Sequence, residues 1–184
     1  MPAGLKSTSS PIVVSQVYSA GPGLNSLPVD LQLNPLDNEV FVVTAIDFSW
    51  NPINTTEWDL VAGAQAAGIF CTVSTTKRAT VGSIGDSNVI AGWQLNPYSP
   101  EPSFTEPQPV GTRFATAYSE QLSGNTPPAN MDYLAIIATS DFFINSDSYN
   151  LVDAQPCAVR LYGYRAQASA SQYAALVQSE VLSA

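Results

Sequence analysis

The chain has 184 residues, 15 acidic against 6 basic, a formal charge of −9 at pH 7, no histidine and 45% hydrophobic residues. The missing imidazole excludes the usual serine and cysteine triads and most zinc sites, and six scattered cations exclude a strong grip on nucleic acid, whose affinity comes from cations displacing counterions along the phosphates. A single domain with its own core is expected at this length, and no apolar run reaches the roughly 18 to 20 residues that span a bilayer.

Residues 1–10 hold one cation, Lys6, and neither the basic nor the apolar region of a secretory leader, so they read as a flexible arm on a protein made inside a cell. Ile12 to Tyr18 begins a first strand, closed by Gly21-Pro22-Gly23, and a short run at Val29 to Leu33 leads into the Asn34-Pro35 turn. The strongest strand signal follows. Val40, Val42, Thr44, Ile46, Phe48 and Trp50 alternate onto one face, while Phe41, Val43 and Ala45 make the other apolar before Asp47 and Ser49 turn it polar. That predicts a strand covered on both sides at its start and on one side at its end.

Trp58 to Val61, Gly68 to Thr75, Asn88 to Gln94 and Arg113 to Tyr118 read as further short strands at the spacing of an all-β sandwich or barrel. Asp59 to Ala67 also suits a helix, weakened by Gly63 and Gly68. Lys77 and Arg78 form the one basic pair and fit a solvated hairpin tip. Between Leu95 and Gly111 five prolines, Pro97, Pro100, Pro102, Pro107 and Pro109, remove donors and fix φ, which predicts a stiff extended loop in place of a central strand. With Phe104, this loop is a candidate contact arm between neighbouring subunits; its other reading is a connection lying on its own sandwich.

Tyr133 to Ser140 is apolar on both faces and therefore reads as a central strand, prolonged by Phe142 to Ile144 and ended by a turn over Asn145 to Asn150; Ala158 to Arg165 supplies the last. About eight strands result. Gln-Leu-Asn-Pro occurs at Gln32 to Pro35 and at Gln94 to Pro97, but the flanks do not match and no duplication is inferred. Cys71 and Cys157 lie in strand-like runs and are expected to be buried free thiols, with a disulfide as the alternative, since neither has the partners that activate a cysteine.

From Ala166 the period changes to that of a helix, placing Tyr173, Leu176, Val177 and Glu180 or Val181 on one face, with Ser169 or Ser171 as cap. Glu180 near its end opposes the macrodipole, so docking must hold this helix, either over its own sheet or against a neighbour. Carboxylate pairs are the one catalytic device left, Glu57 with Asp59 or Asp141 with Asp147; Asp141, Asn145 and Asp147 also have calcium-like spacing without the glycine or closing glutamate of a calcium loop. No phosphate loop or dinucleotide fingerprint occurs. No catalytic residue, cofactor or metal is therefore assigned.

About eight strands, decorated loops, a sparsely charged exterior, an N-terminal arm and a terminal helix together resemble the viral single jelly roll, two four-stranded antiparallel sheets packed face to face. Arg160-Leu-Tyr-Gly-Tyr-Arg165 followed by an Ala/Ser-rich helix looks like the ending of small viral capsid subunits. The resemblance implies an all-β jelly roll over residues 11–165, with an arm at 1–10 and a helix at 166–184. It implies a capsid subunit in the virion, made in the host cytoplasm, assembling with copies of itself through Pro100, Pro102, Phe104, Pro107 and Pro109 and through Tyr173, Leu176, Val177 and Val181. With only Lys6 in the arm, a second capsid or packaging protein would handle the genome. The alternative is a carbohydrate- or receptor-binding sandwich that uses Trp50, Trp58, Trp93 or Tyr98 as stacking platforms.

Overall fold

The computed structural model describes residues 4–20, 22–50, 59–60, 64, 66–98, 113–114, 117–151 and 155–182. In chain order the elements are β1 (Lys6–Ser7), β2 (Ile12–Ala20), β3 (Asn25–Asp30), β4 (Glu39–Trp50), β5 (Asp59–Leu60), β6 (Gly68–Ser74), β7 (Val89–Tyr98), β8 (Arg113–Phe114), β9 (Ala117–Ser123), β10 (Ala135–Ile137), β11 (Asp141–Tyr149), β12 (Gln155–Gln167) and α1 (Ala170–Leu182). One sheet runs β12-β4-β10 with β1 and β2 on the outer side of β12, the other runs β3-β11-β6-β7-β9, and β5 and β8 form a small ribbon.

The pairing is nested. β2 pairs with β12, β3 with β11, β4 with β10 and β6 with β7, all antiparallel. First with last, second with second-last and so inward is one long hairpin of four strand pairs rolled into two sheets, which is the jelly roll. The core between the sheets holds Phe41, Val43, Ile46, Val159 and Leu161 from one side and Ile69, Val73, Ala91, Trp93, Phe142 and Ile144 from the other.

β4 departs from strict alternation. Phe41 and Val43 face the core, but so does Ile46, while Val40 and Val42 belong to a second cluster on the outer face. The pairing explains the switch: Val43 lies opposite Gly163 and Ala45 opposite Tyr162, so Thr44 is the extra residue of a β-bulge, its Oγ1 donating to the Tyr162 carbonyl at 3.1 Å. A bulge turns the following side chains to the other face. Gly163 makes it sterically possible, because a Cβ there would stand 2.6 Å from the Phe41 ring and closer still to the Val42 carbonyl oxygen. The expected covering, two-sided at the start of the strand and one-sided at its end, is present, with the faces exchanged at Thr44.

Other expectations change. The apolar run from Tyr133 to Ile144 is two strands in different sheets, β10 at a sheet edge and β11 in the interior of the other sheet, with the crossover at Ala138 to Ser140 between them. β10 is apolar on both faces because Ile137 meets the core and Ile136 the outer cluster. The expected turn at Asn145 to Asn150 is strand as far as Tyr149. Pro97 lies inside β7, opposite Tyr118 of β9; it has no N–H to give, yet its carbonyl still accepts from Ala67 N at 2.9 Å. Asp59 and Leu60 are strand, not helix. The two Gln-Leu-Asn-Pro segments differ, the first leading into a 3₁₀ turn and the second lying in β7.

Residues 4–10, expected as a flexible arm, are seated on the domain. Lys6 and Ser7 pair with Gln167 and Ala166, Leu5 is buried in the outer cluster, and Ser9 Oγ accepts from Arg165 N at 2.9 Å. One apolar anchor and a short ladder are enough to hold them there.

Candidate functional site

Helix α1 covers one end of the outer face of the first sheet. Tyr173, Leu176 and Val177, half-buried, pack with Ile136 and Tyr164 on a floor of Val40, Val42, Ala138 and Ala166. Its start carries a capping box: Ser169 Oγ accepts from Gln172 N at 3.4 Å, and Gln172 Oε1 accepts from Ser169 N at 3.3 Å, satisfying two otherwise orphaned donors.

Glu180 explains itself here. It is 7% exposed, and its two carboxylate oxygens accept from Ala138 N at 2.8 Å and Thr139 N at 3.0 Å, in the crossover where the chain leaves β10 for the other sheet. Hydrogen bonds to an ionised acceptor are about twice as strong as neutral ones, so an acid that disfavours the helix locally latches it to the sheet. Of the four helix residues proposed for contacts, three are engaged with the chain's own sheet and Val181 stands exposed beside Leu182. Pro100, Pro102, Phe104, Pro107 and Pro109 lie outside the described residues.

Beyond the helix, the described residues on the outer face of the same sheet include several that are exposed. Val13 and Val17 of β2 are exposed, and a surface hollow of about 460 Å³ is lined by Ser15, Val17, Asp47, Phe48, Ser49 and Arg160, among others. Arg160 lies opposite both Asp47 and Ser15 in register, and its Nε donates to Ser15 Oγ at 3.3 Å.

On the other sheet, Asp141, Asn145 and Asp147 lie along a single extended strand. Six residues of strand set Asp141 and Asp147 ~20 Å apart, too far for one ion or for the two carboxylates of a glycosidase. Asn145 is spoken for: its Oδ1 accepts from Ser26 Oγ at 2.7 Å and its Nδ2 donates to Ser74 Oγ at 2.8 Å. Glu57 lies outside the described residues, as does the Asp59 side chain. Arg78 pairs with Asp86 at 3.2 Å and donates to Asn88 Oδ1, tying the loop between β6 and β7 to itself, and Lys77 is exposed there.

Cys71 and Cys157 are free and buried, contributed by opposite sheets to one core. Tyr18 sits opposite Cys157 in register, and its hydroxyl has no hydrogen-bonding partner of good geometry. Burial pushes the Cys157 thiol up to about 12 and raises Cys71 and Tyr18 further still. These are inert thiols. Trp93, one of the proposed stacking platforms, is 3% exposed, with its Nε1 donating to Glu120 Oε1 at 2.6 Å. Tyr98 is partly exposed, while Trp58 and the Trp50 side chain lie outside what is described.

No family model and no curated protein matches the chain. Among solved structures it is similar to VP1 of Merkel cell polyomavirus as an unassembled pentamer (8% identity over 89% of this chain and 98% of that one, TM-score 0.42), to VP1 of chimpanzee polyomavirus (9%, 88% and 97%, 0.42) and to VP1 of trichodysplasia spinulosa-associated polyomavirus (8%, 92% and 97%, 0.40). At such values the fold rests on the strand pairing described above. Among the described residues no helix is long and apolar enough to cross a membrane.

Proposed function

We propose that this chain is a capsid subunit of a virion that works by packing against copies of itself and turns over no substrate. The observation that carries the reading is the complete nested strand order of a jelly roll on a chain with 15 acidic and 6 basic residues among 184. The jelly roll serves shells, lectins and cupins alike, so the fold alone does not choose. The exterior favours the shell: few ions stand to be desolvated when subunits meet, and apolar side chains such as Val17, Tyr118 and Leu182 stand exposed. Contacts by the proline-rich loop and by Val181 belong to this proposal. So does a separate basic protein for the genome, because Lys6 is the one cation of the arm and its strand is paired within the domain.

The glycan- or receptor-binding alternative loses Trp93, which fills the core. Light scattering on the purified full chain across a concentration series, run beside a glycan array, separates the two. Symmetric oligomers or closed particles with a blank array support the capsid reading; a monomer at every concentration that binds a defined glycan overturns it.

A further inference from the structure

Among the described residues the two sheets have four edges, and three are blunted. β3 carries Pro28 and ends in Asp30, β9 carries Glu120 at its centre, and β10 is only three residues long. Proline, charge and shortness are the devices that stop an open edge from pairing with another chain. β2 has none of them. It is nine residues long, Ile-Val-Val-Ser-Gln-Val-Tyr-Ser-Ala, without an ion or a proline. Its outward side chains Val13 and Val17 are 53% and 61% exposed, and the Gln16 side-chain amide turns back to the Val17 carbonyl at 3.3 Å.

We infer that β2 is an intersubunit strand, pairing antiparallel with β2 of a second copy across a two-fold axis at Ser15 and so joining the first sheets of two subunits into one. This rests on the self-association reading and names its contact. In that register Val13 faces Val17 of the partner subunit on the outer side, and Ile12 faces Tyr18 and Val14 faces Gln16 of the partner on the inner side. Pairing residues whose numbers sum to an even value keeps each side chain on its own face of the sheet, and a two-fold contact lets one strand serve both partners. The occupant is a second copy because the match is to the strand itself. Copies that each carry −9 repel at long range, and an uncharged strand lets them touch without burying an ion. Asp47 and Arg160 of the same sheet oppose each other in register on the two strands beyond β2, and their opposite charges sum to zero beside it.

Single cysteines at the three exposed positions read the register directly, since Cys71 and Cys157 are buried. In the paired strands the two Ser15 Cα atoms stand ~5 Å apart, within disulfide reach, whereas Val13 and its own copy stand ~13 Å apart, outside it. Mild oxidation of the full chain should therefore convert most of Ser15→Cys into a covalent dimer, leave Val13→Cys and Val17→Cys uncrosslinked alone, and link those two when mixed. The double variant Val13→Lys/Val17→Lys should weaken the dimer at least tenfold in sedimentation while leaving the monomer's circular dichroism unchanged. A scan that is flat, or that peaks anywhere but Ser15, overturns the inference. Shells seen by electron microscopy without the Ser15→Cys crosslink would leave the capsid reading standing and remove this contact; a crosslinked dimer that never builds particles would do the reverse.

Discussion

The two ends of the first sheet's outer face treat the same problem in opposite ways. At one end the chain closes its apolar surface itself: α1 lies over Val40, Val42 and Ala166 and is latched by Glu180. At the other end Val13 and Val17 remain in solvent beside an edge strand without ion or proline. The boundary between them is the bulge at Thr44, which changes the face that β4 shows to the core and leaves Asp47 and Ser49 outside beyond it. Among the described residues, closure of this face by the chain itself is thus confined to one half, and the other half is the one the proposed intersubunit contact would cover.

The sharpest way to break the comparison is at the bulge. Gly163→Ala should cost about 3 kcal/mol or more in chemical denaturation, because the new Cβ meets the Val42 carbonyl and the Phe41 ring rather than a flexible side chain. Glu180→Ala should come next, at about 2–3 kcal/mol, since it strands one buried and one half-buried backbone donor. Hydrogen exchange should then show α1 and the amides of Ala138 and Thr139 losing protection while the β6 and β7 amides keep theirs. If Glu180→Ala leaves that exchange pattern unchanged, the latch is wrong.

Smaller effects sharpen it further. Leu176→Ala, at a half-buried position, should cost about 1–2 kcal/mol, whereas Val17→Ser on the bare end should stay within about 0.5 kcal/mol for the monomer and show its effect in association alone. Alkali gives a last, graded test. Cys157 ionises near 9.0 when unfolded and near 12 in the core, so the unfolded state sheds its proton first as pH rises. The stabilisation is complete below about pH 9 and drains away between 9 and 12, with Cys71 and Tyr18 acting in the same direction. A melting temperature flat across that window in the wild type would contradict the burial of all three groups.

Much of this was legible in the residues, for local reasons. The alternation in β2, β4 and β6 and the changed period after Ala166 each follow from side chains a few positions apart. What could not be read depends on distant partners. The bulge needs Gly163 opposite β4, some 120 residues away in sequence. The crossover at Ala138 was hidden because apolar residues serve β10 and β11 equally, one on each sheet. Pro97 reads as a strand breaker until Ala67 is seen to use its carbonyl. Glu180 stands in the sequence as an acid at the wrong end of a helix and as an alternative to Val181 on its packed face, and that misfit is the signal. No comparable signal marks the β2 edge in the sequence, where an edge strand and a covered strand look alike.

Electron microscopy of the purified full chain, without partner or genome, tests the central claim most directly. Closed particles or symmetric rings in which neighbouring subunits meet through their uncharged surfaces are the predicted result. A field of isolated monomers at concentrations where light scattering also shows a single chain would contradict it.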